Sequence, residues 1–233
     1  MRLAYPVSAL LLFTVHAPAG EVQGHAIITR RLTKKALSPI VYNLRGTAAP
    51  VAPSPAPAHE AEPVNEFERM VVILEPKGKT HAQFAAKPPV TSVLDQNGVR
   101  FSPDFIVVPV GSTVQFPNSD PIFHNVFSLS KAQSFDLGYY PQGQSRSVKF
   151  NTPGVVQVYC HIHASMYAAI VVTASPWYEN PASDGGFSFS NVPPGHYQLT
   201  AWHKVAGLFK RDVEVPENGS VEADIRVPLD MEP

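Results

Sequence analysis

The run Tyr159-Cys160-His161-Ile162-His163-Ala164-Ser165-Met166-Tyr167 places a thiol, an imidazole and a thioether at 160, 163 and 166. That combination is rare by composition in a chain of 233 residues with nine His, four Met and one Cys. Val156, Val158 and Cys160 alternate with Gln157 and Tyr159, so in a strand the first three share the inward face. A tight loop back to a strand starting near Tyr167 would gather the Cys160 sulfur, a His163 ring nitrogen and the Met166 sulfur around one point. A thiolate and imidazoles with a weak thioether suit copper, because soft sulfur stabilises Cu(I) and nitrogen is acceptable to Cu(II). One more imidazole is required. His124, in Pro121-Ile122-Phe123-His124-Asn125-Val126-Phe127, is the best placed, 36 positions before Cys160 and among apolar residues. Because similar coordination serves both oxidation states, an electron could come and go with little rearrangement.

Each residue has a plainer reading. Cys160 could be an inert buried thiol, Met166 core filler and His124 a core histidine with its hydrogen bonds satisfied. His161 forms a His-x-His pair with His163, as at a trinuclear copper cluster, but the histidines at 16, 25, 59, 81, 124, 196 and 203 form no other such pair. His161 therefore reads as a neighbour of the site or a surface residue. A binuclear copper centre needs two cysteines, and zinc would not call for the thioether. Asp95, Asp104, Asp136, Glu214 and Asp224 show no spacing of a carboxylate acid–base couple, and no phosphate loop or nucleophile elbow is present, so no catalytic residue is assigned. His196 and His203, beside Tyr197 and Trp202, read as polar residues on a solvated strand face.

The elements that must position these residues are strands. Twenty-four prolines and fourteen glycines interrupt short stretches rich in Val, Ile, Phe and Tyr, which predicts an all-β protein. The net charge of −1 gives no electrostatic basis for binding nucleic acid or an anionic membrane. Met1-Arg2-Leu3, the apolar run 7–15 and Ala17-Pro18-Ala19 have the parts of a secretory signal peptide over 1–19. Export would place the chain in the periplasm or outside the cell, where a lone thiol has no internal disulfide partner. Strands are expected at Val22–Ile28, Ser38–Leu44, Met70–Leu74, Phe105–Val110, Ser112–Phe116, Ser145–Phe150, Val155–Cys160 and Ala168–Thr173. Residues 47–63 hold five prolines and six alanines, the composition of an extended loop. In the tail, two alternating strands flank Pro193-Pro194-Gly195, and a further pair is expected at Asp212–Val215 and Val221–Val227. Four such strands make a thin layer needing a partner sheet.

His124-Asn125-Val126, with Cys160-x-x-His163-x-x-Met166 downstream of Pro153-Gly154-Val155-Val156-Gln157-Val158-Tyr159, resembles the cupredoxins, small blue-copper electron carriers, most closely the amicyanin and plastocyanin type. The matched region covers roughly 89–175. The resemblance implies that His124, Cys160 and His163 are equatorial copper ligands, that Met166 is axial, and that Asn125 ties the ligand loops together by hydrogen bonds. The tail Asp184-Gly185-Gly186-Phe187-Ser188-Phe189 through His203 resembles the later strands of the carboxypeptidase regulatory-like, or prealbumin-like, β-sandwich, and Gly24–Leu44 has the look of its missing strands. The expected organisation is a signal at 1–19, N-terminal strands of that sandwich at 20–46, a Pro/Ala-rich loop at 47–66, a cupredoxin Greek-key β-sandwich at 67–175 and the remaining sandwich strands at 176–233.

The combination resembles the methylamine-utilisation-like periplasmic proteins. The resulting expectation is a non-enzymatic periplasmic carrier with one type 1 copper ion, passing single electrons between redox partner proteins that dock transiently on apolar residues near His163, such as Ile162, Ala164 and Tyr167. No nucleic-acid partner and no integral membrane segment after signal cleavage are expected. A non-redox copper carrier or buffer would use the same residues, and a metal-free envelope binding module would leave the Cys-His-Met set unexplained.

Overall fold

In the computed structural model, the described residues are 20–29, 65–78, 84, 86–217 and 219–227. The expected signal, the strand at Ser38–Leu44 and all but the last two residues of the 47–66 loop lie outside them. Among the described residues the chain forms strands and one short 3-10 turn, Glu66–Arg69. The strands are β1 (Gly20–Ile28), β2 (Met70–Pro76), β3 (Thr91–Val93), β4 (Asp95–Gln96), β5 (Phe101–Ser102) and β6 (Phe105–Pro109). Then follow β7 (Ser112–Pro117), β8 (His124–Ser130), β9 (Gln133–Tyr140), β10 (Ser145–Phe150), β11 (Gly154–Tyr159) and β12 (Tyr167–Thr173). The tail adds β13 (Trp177–Glu179), β14 (Gly186–Val192), β15 (Gly195–His203), β16 (Gly207–Val215), β17 (Ser220–Glu222) and β18 (Ile225–Val227).

Two β-sandwiches result. The first faces sheet β6-β12-β11-β8-β9 against sheet β10-β7-β3, closing over a core that includes Val114, Phe116, Phe150, Val158, Cys160 and Met166. The second faces β13-β2-β15-β16 against β14-β1-β17, with β18 also paired to β1, over Val22, Met70, Leu74, Phe189, Tyr197 and Leu199. β1 alternates buried and exposed residues from Gly20 to Ala26, as a strand with one solvated face should. Gly24 is required there because a Cβ would stand 2.5 Å from the Ala223 carbonyl oxygen, too close for any other residue.

Met70–Leu74 corrects the expected boundary. The sequence reading groups it with 67–175, but the strand pairs with β15 along its whole length and with β13. Its unbroken apolar run marks a strand buried on both faces without saying between which sheets. Met70, Val72 and Leu74 enter the second core, while Val71 and Ile73 turn outward against Phe105, Ala169 and Val171 of the first sandwich. Trp202 joins that contact, its ring stacked on Phe105 at 5.5 Å.

The tail also departs from a single thin layer. β14 pairs with β1, whereas β15 pairs with β2 and β16. Pro193 and Pro194 have no N–H with which to continue a hairpin ladder, so the chain crosses between sheets, and the Tyr197 hydroxyl donates to the Pro193 carbonyl at 2.8 Å. His203 is fully buried rather than solvated, because β15 is covered on both faces at this end. Its Nδ1 accepts the N–H groups of Val205 and Ala206, its Nε2 stands 3.3 Å from Glu66 Oε2, and burial holds its pKa below the ordinary value against the pull of Glu66. The sequence pattern does not mark β8 and β9 or the short strands β3, β4, β5 and β13, and β16 starts at Gly207 rather than 212.

Candidate metal centre

Four segments converge at one end of the first sandwich. β11 ends at Tyr159, and Cys160, the next residue, continues the inward face of Val156 and Val158, only 5% exposed. The chain then turns through 161–166, a turn closed by the Met166 N–H donating to the His163 carbonyl at 2.9 Å. Met166 ends this loop 1% exposed, in the same core as Cys160. β12 restarts at Tyr167 and pairs back onto β11 from Tyr159↔Tyr167 onward. His124 opens β8, fully buried.

The structure brings together three of the four expected ligands by their donor atoms. Nδ1 of His124 and Nδ1 of His163 are 3.0 Å apart, and the Cys160 sulfur is 3.9 Å from the first and 3.8 Å from the second. A triangle with those sides has a circumradius of about 2.1 Å, so one point in its plane is about 2.1 Å from all three atoms. Metal–imidazole and metal–thiolate bonds are roughly 2.0–2.3 Å, and two imidazoles with one thiolate in a trigonal arrangement are the donors of a blue-copper site. The donor set fits copper. His124, Cys160 and His163 are also the one cluster of metal-ligating side chains of this kind among the described residues.

Asp120 and Asp136 belong to the surroundings of this cluster; the sequence reading takes Asp136 only as a structural carboxylate and does not consider Asp120. The Asp120 carboxylate lies 2.8 Å from His124 Nε2, so the ring can donate there and leave Nδ1 free as a donor to metal. Asp120 also accepts the N–H groups of Gly98 at 2.6 Å and Val99 at 2.8 Å. Burial pushes its carboxyl up, but the bonds from Val99, His124 and Gly98 outweigh that cost and hold it below the usual carboxylate range. The turn beneath it is fixed by Asn118, which donates to the carbonyls of Ile122 and Tyr140 and accepts the Asp120 N–H. A signal for Asp120 does exist in the sequence: a carboxylate four residues before the histidine, at the end of Pro117-Asn118-Ser119-Asp120.

Asn125, the expected tie between the ligand loops, is buried at the second position of β8. Its amide does not bond the ligand loop directly; Nδ2 donates to Asp136 Oδ1 at 2.7 Å, and the buried Oδ1 has no partner among the described residues. The β8–β9 ladder shifts register between Asn125 and Phe127, and such irregularities re-aim side chains. Asp136 also accepts the Gly138 N–H, which, with the Asn125 amide and against a smaller burial cost, holds its carboxyl low. His161 stands outside the donor cluster, its ring stacked on Phe127 at 3.8 Å and its Nε2 3.4 Å from Asp136 Oδ2.

Residues 89–173 match the family model for copper binding proteins of the plastocyanin/azurin family. No curated protein matches the chain. Among solved structures, it is similar to a purple cupredoxin from Nitrosopumilus maritimus, at 23% identity over 35% of this chain and 99% of that one, with a TM-score of 0.33. It is similar to amicyanin from Paracoccus versutus at 20% identity, over 40% of this chain and 87% of that one, TM-score 0.33. A copper-containing nitrite reductase from Thermus scotoductus SA-01 is 26% identical over 42% of this chain, which spans 27% of that enzyme, TM-score 0.34. The chain is an all-β protein, and its matched region folds as a β-sandwich consistent with that copper-binding cupredoxin family.

Proposed function

We propose that this chain is an exported, periplasmic protein with a single type 1 copper site made by His124, Cys160, His163 and Met166, and that it carries single electrons between redox partner proteins. The observation that carries the reading is the donor triangle, whose centre is a bond length from two imidazole nitrogens and one thiolate sulfur. A bound copper ion would supply the one-electron couple. The chain's part is to hold the donors still: β11 aims Cys160, Asp120 fixes the His124 ring, and the turn through 163–166 sets His163 and Met166. Donors preset in this way need little movement when charge changes.

His163 is the half-buried ligand, at the rim. Ile162 beside it is 49% exposed, and Ile122 and Phe123, on the loop leading into His124, are 41% and 57% exposed. These apolar side chains support docking of a partner through a small transient interface. No helix among the described residues is long and apolar enough to cross a membrane.

The test is the visible spectrum of the purified protein titrated with Cu(II), beside Cys160→Ser. The expected result is an intense sulfur-to-copper charge-transfer band, bleached by reductant and absent from the variant. A folded protein with no band would overturn the copper reading. A band with no reversible one-electron wave in voltammetry would instead indicate a carrier or buffer of the metal.

A further inference from the structure

We infer that Asp136 is a positioning residue of the metal centre, its carboxylate joining the strand that carries His124 to the loop that carries Cys160 and His163. The inference rests on the copper reading above, but the contacts belong to the chain alone. Asn125 follows His124 and is fully buried. Its side-chain oxygen has no partner among the described residues, so the bond from Nδ2 to Asp136 is what anchors this amide. The same carboxylate oxygen takes the Gly138 N–H at 2.8 Å, which fixes its direction on β9. The other oxygen faces His161 Nε2 at 3.4 Å.

His161 is the residue after Cys160, and its ring is held between that carboxylate and the face of Phe127, with the two rings 8° from parallel. Phe127 pairs with Asp136 across the β8–β9 ladder and with Tyr159 across β8–β11. Two strands, β8 and β9, and the start of the ligand loop therefore meet at one carboxylate, and β11 is joined to it through Phe127. Asn125 reaches the ligand loop through Asp136 and His161. Groups that orient metal ligands from outside the coordination shell commonly change affinity 10–100-fold when removed.

The experiment compares wild type with Asp136→Ala, Asp136→Asn and His161→Phe. Asp136 and His161 are 57% and 44% exposed, so the variants should fold, and thermal unfolding checks this. Amide exchange of residues 160–166 is followed by NMR in the metal-free protein, and Cu(II) affinity and EPR hyperfine coupling in the loaded one. Asp136→Ala leaves the Asn125 amide without its anchor, so exchange in the loop should rise at least about tenfold. Copper affinity should fall about 10–100-fold, with a changed hyperfine coupling. Asp136→Asn keeps an acceptor oxygen for Asn125 and Gly138 and should recover most of the affinity. His161→Phe keeps the ring stack and loses the nitrogen; it should loosen the loop, and the double variant with Asp136→Ala should be no worse than Asp136→Ala alone. Asp136→Ala within twofold of wild type in both exchange and affinity would overturn the inference. If the wild type takes up no copper, the functional reading falls, and exchange in the metal-free protein still decides whether Asp136 holds the loop.

Discussion

Replacing Asp120 with Ala should separate what holds the His124 ring from what holds the fold. The ring is fully buried and its Nε2 is bonded at 2.8 Å to a carboxylate only 6% exposed. Removing that acceptor leaves a buried N–H without a partner, which costs about 1–3 kcal/mol of stability. The two other donors to Asp120 are the backbone N–H groups of Gly98 and Val99, both at exposed residues. Water can replace the carboxylate there, so they add little. The ring, free to rotate, then presents Nδ1 to the donor triangle only part of the time. Metal affinity should fall about 10–100-fold, equivalent to about 1.4–2.7 kcal/mol. Urea unfolding of the metal-free protein reads the first effect, and Cu(II) competition with a chelator of known affinity reads the second. If Asp120→Ala loses less than about 0.5 kcal/mol and binds copper as wild type does, the His124 ring is held by its apolar surroundings and not by the carboxylate.

Further outcomes follow from the same geometry. Met166→Gln should keep copper and the charge-transfer band while shifting the reduction potential in voltammetry; complete loss of binding would show that the axial assignment to Met166 is too simple. Because folding depresses the Asp120 carboxyl, its contribution is complete above the unfolded value of about 3.9. That contribution fades as pH falls through the lower folded value, so in acid unfolding curves Asp120→Asn should lose this segment of the wild-type slope. Gly24→Ala drives a Cβ into the Ala223 carbonyl and should cost about 1–3 kcal/mol. Circular dichroism should show the second sandwich weakened while the copper band survives, since β1 makes no pairing with the first sandwich. Trp202→Ala removes a 7% exposed ring from between the sandwiches and should cost about 3–5 kcal/mol; an unchanged melting temperature would show that the two bodies do not stabilise each other.

Local chemistry in the sequence determined much about this protein. Period-two alternation sets the inward face of Val156, Val158 and Cys160. The spacing of 160, 163 and 166 is a property of one loop, and Pro and Gly mark the strand ends. These features point to the candidate donors of the 160–166 loop because each depends on residues a few positions apart. Pairing between distant strands is a different matter. The run Met70–Leu74 says that both faces are buried, but only the competition among sheets for that apolar surface places it beside β15 rather than in the first sandwich. His203 looks like a solvated histidine until the strand beneath it is covered from both sides. The donor triangle depends on β8 and β11 being neighbours, which brings residues 36 apart within bonding distance of one point. Asp136 carries no signal of its own: a register shift in the β8–β9 ladder turns a buried amide toward it, and that is decided by the whole sheet because a side chain's partners across strands are fixed by register, not by its neighbours in the chain.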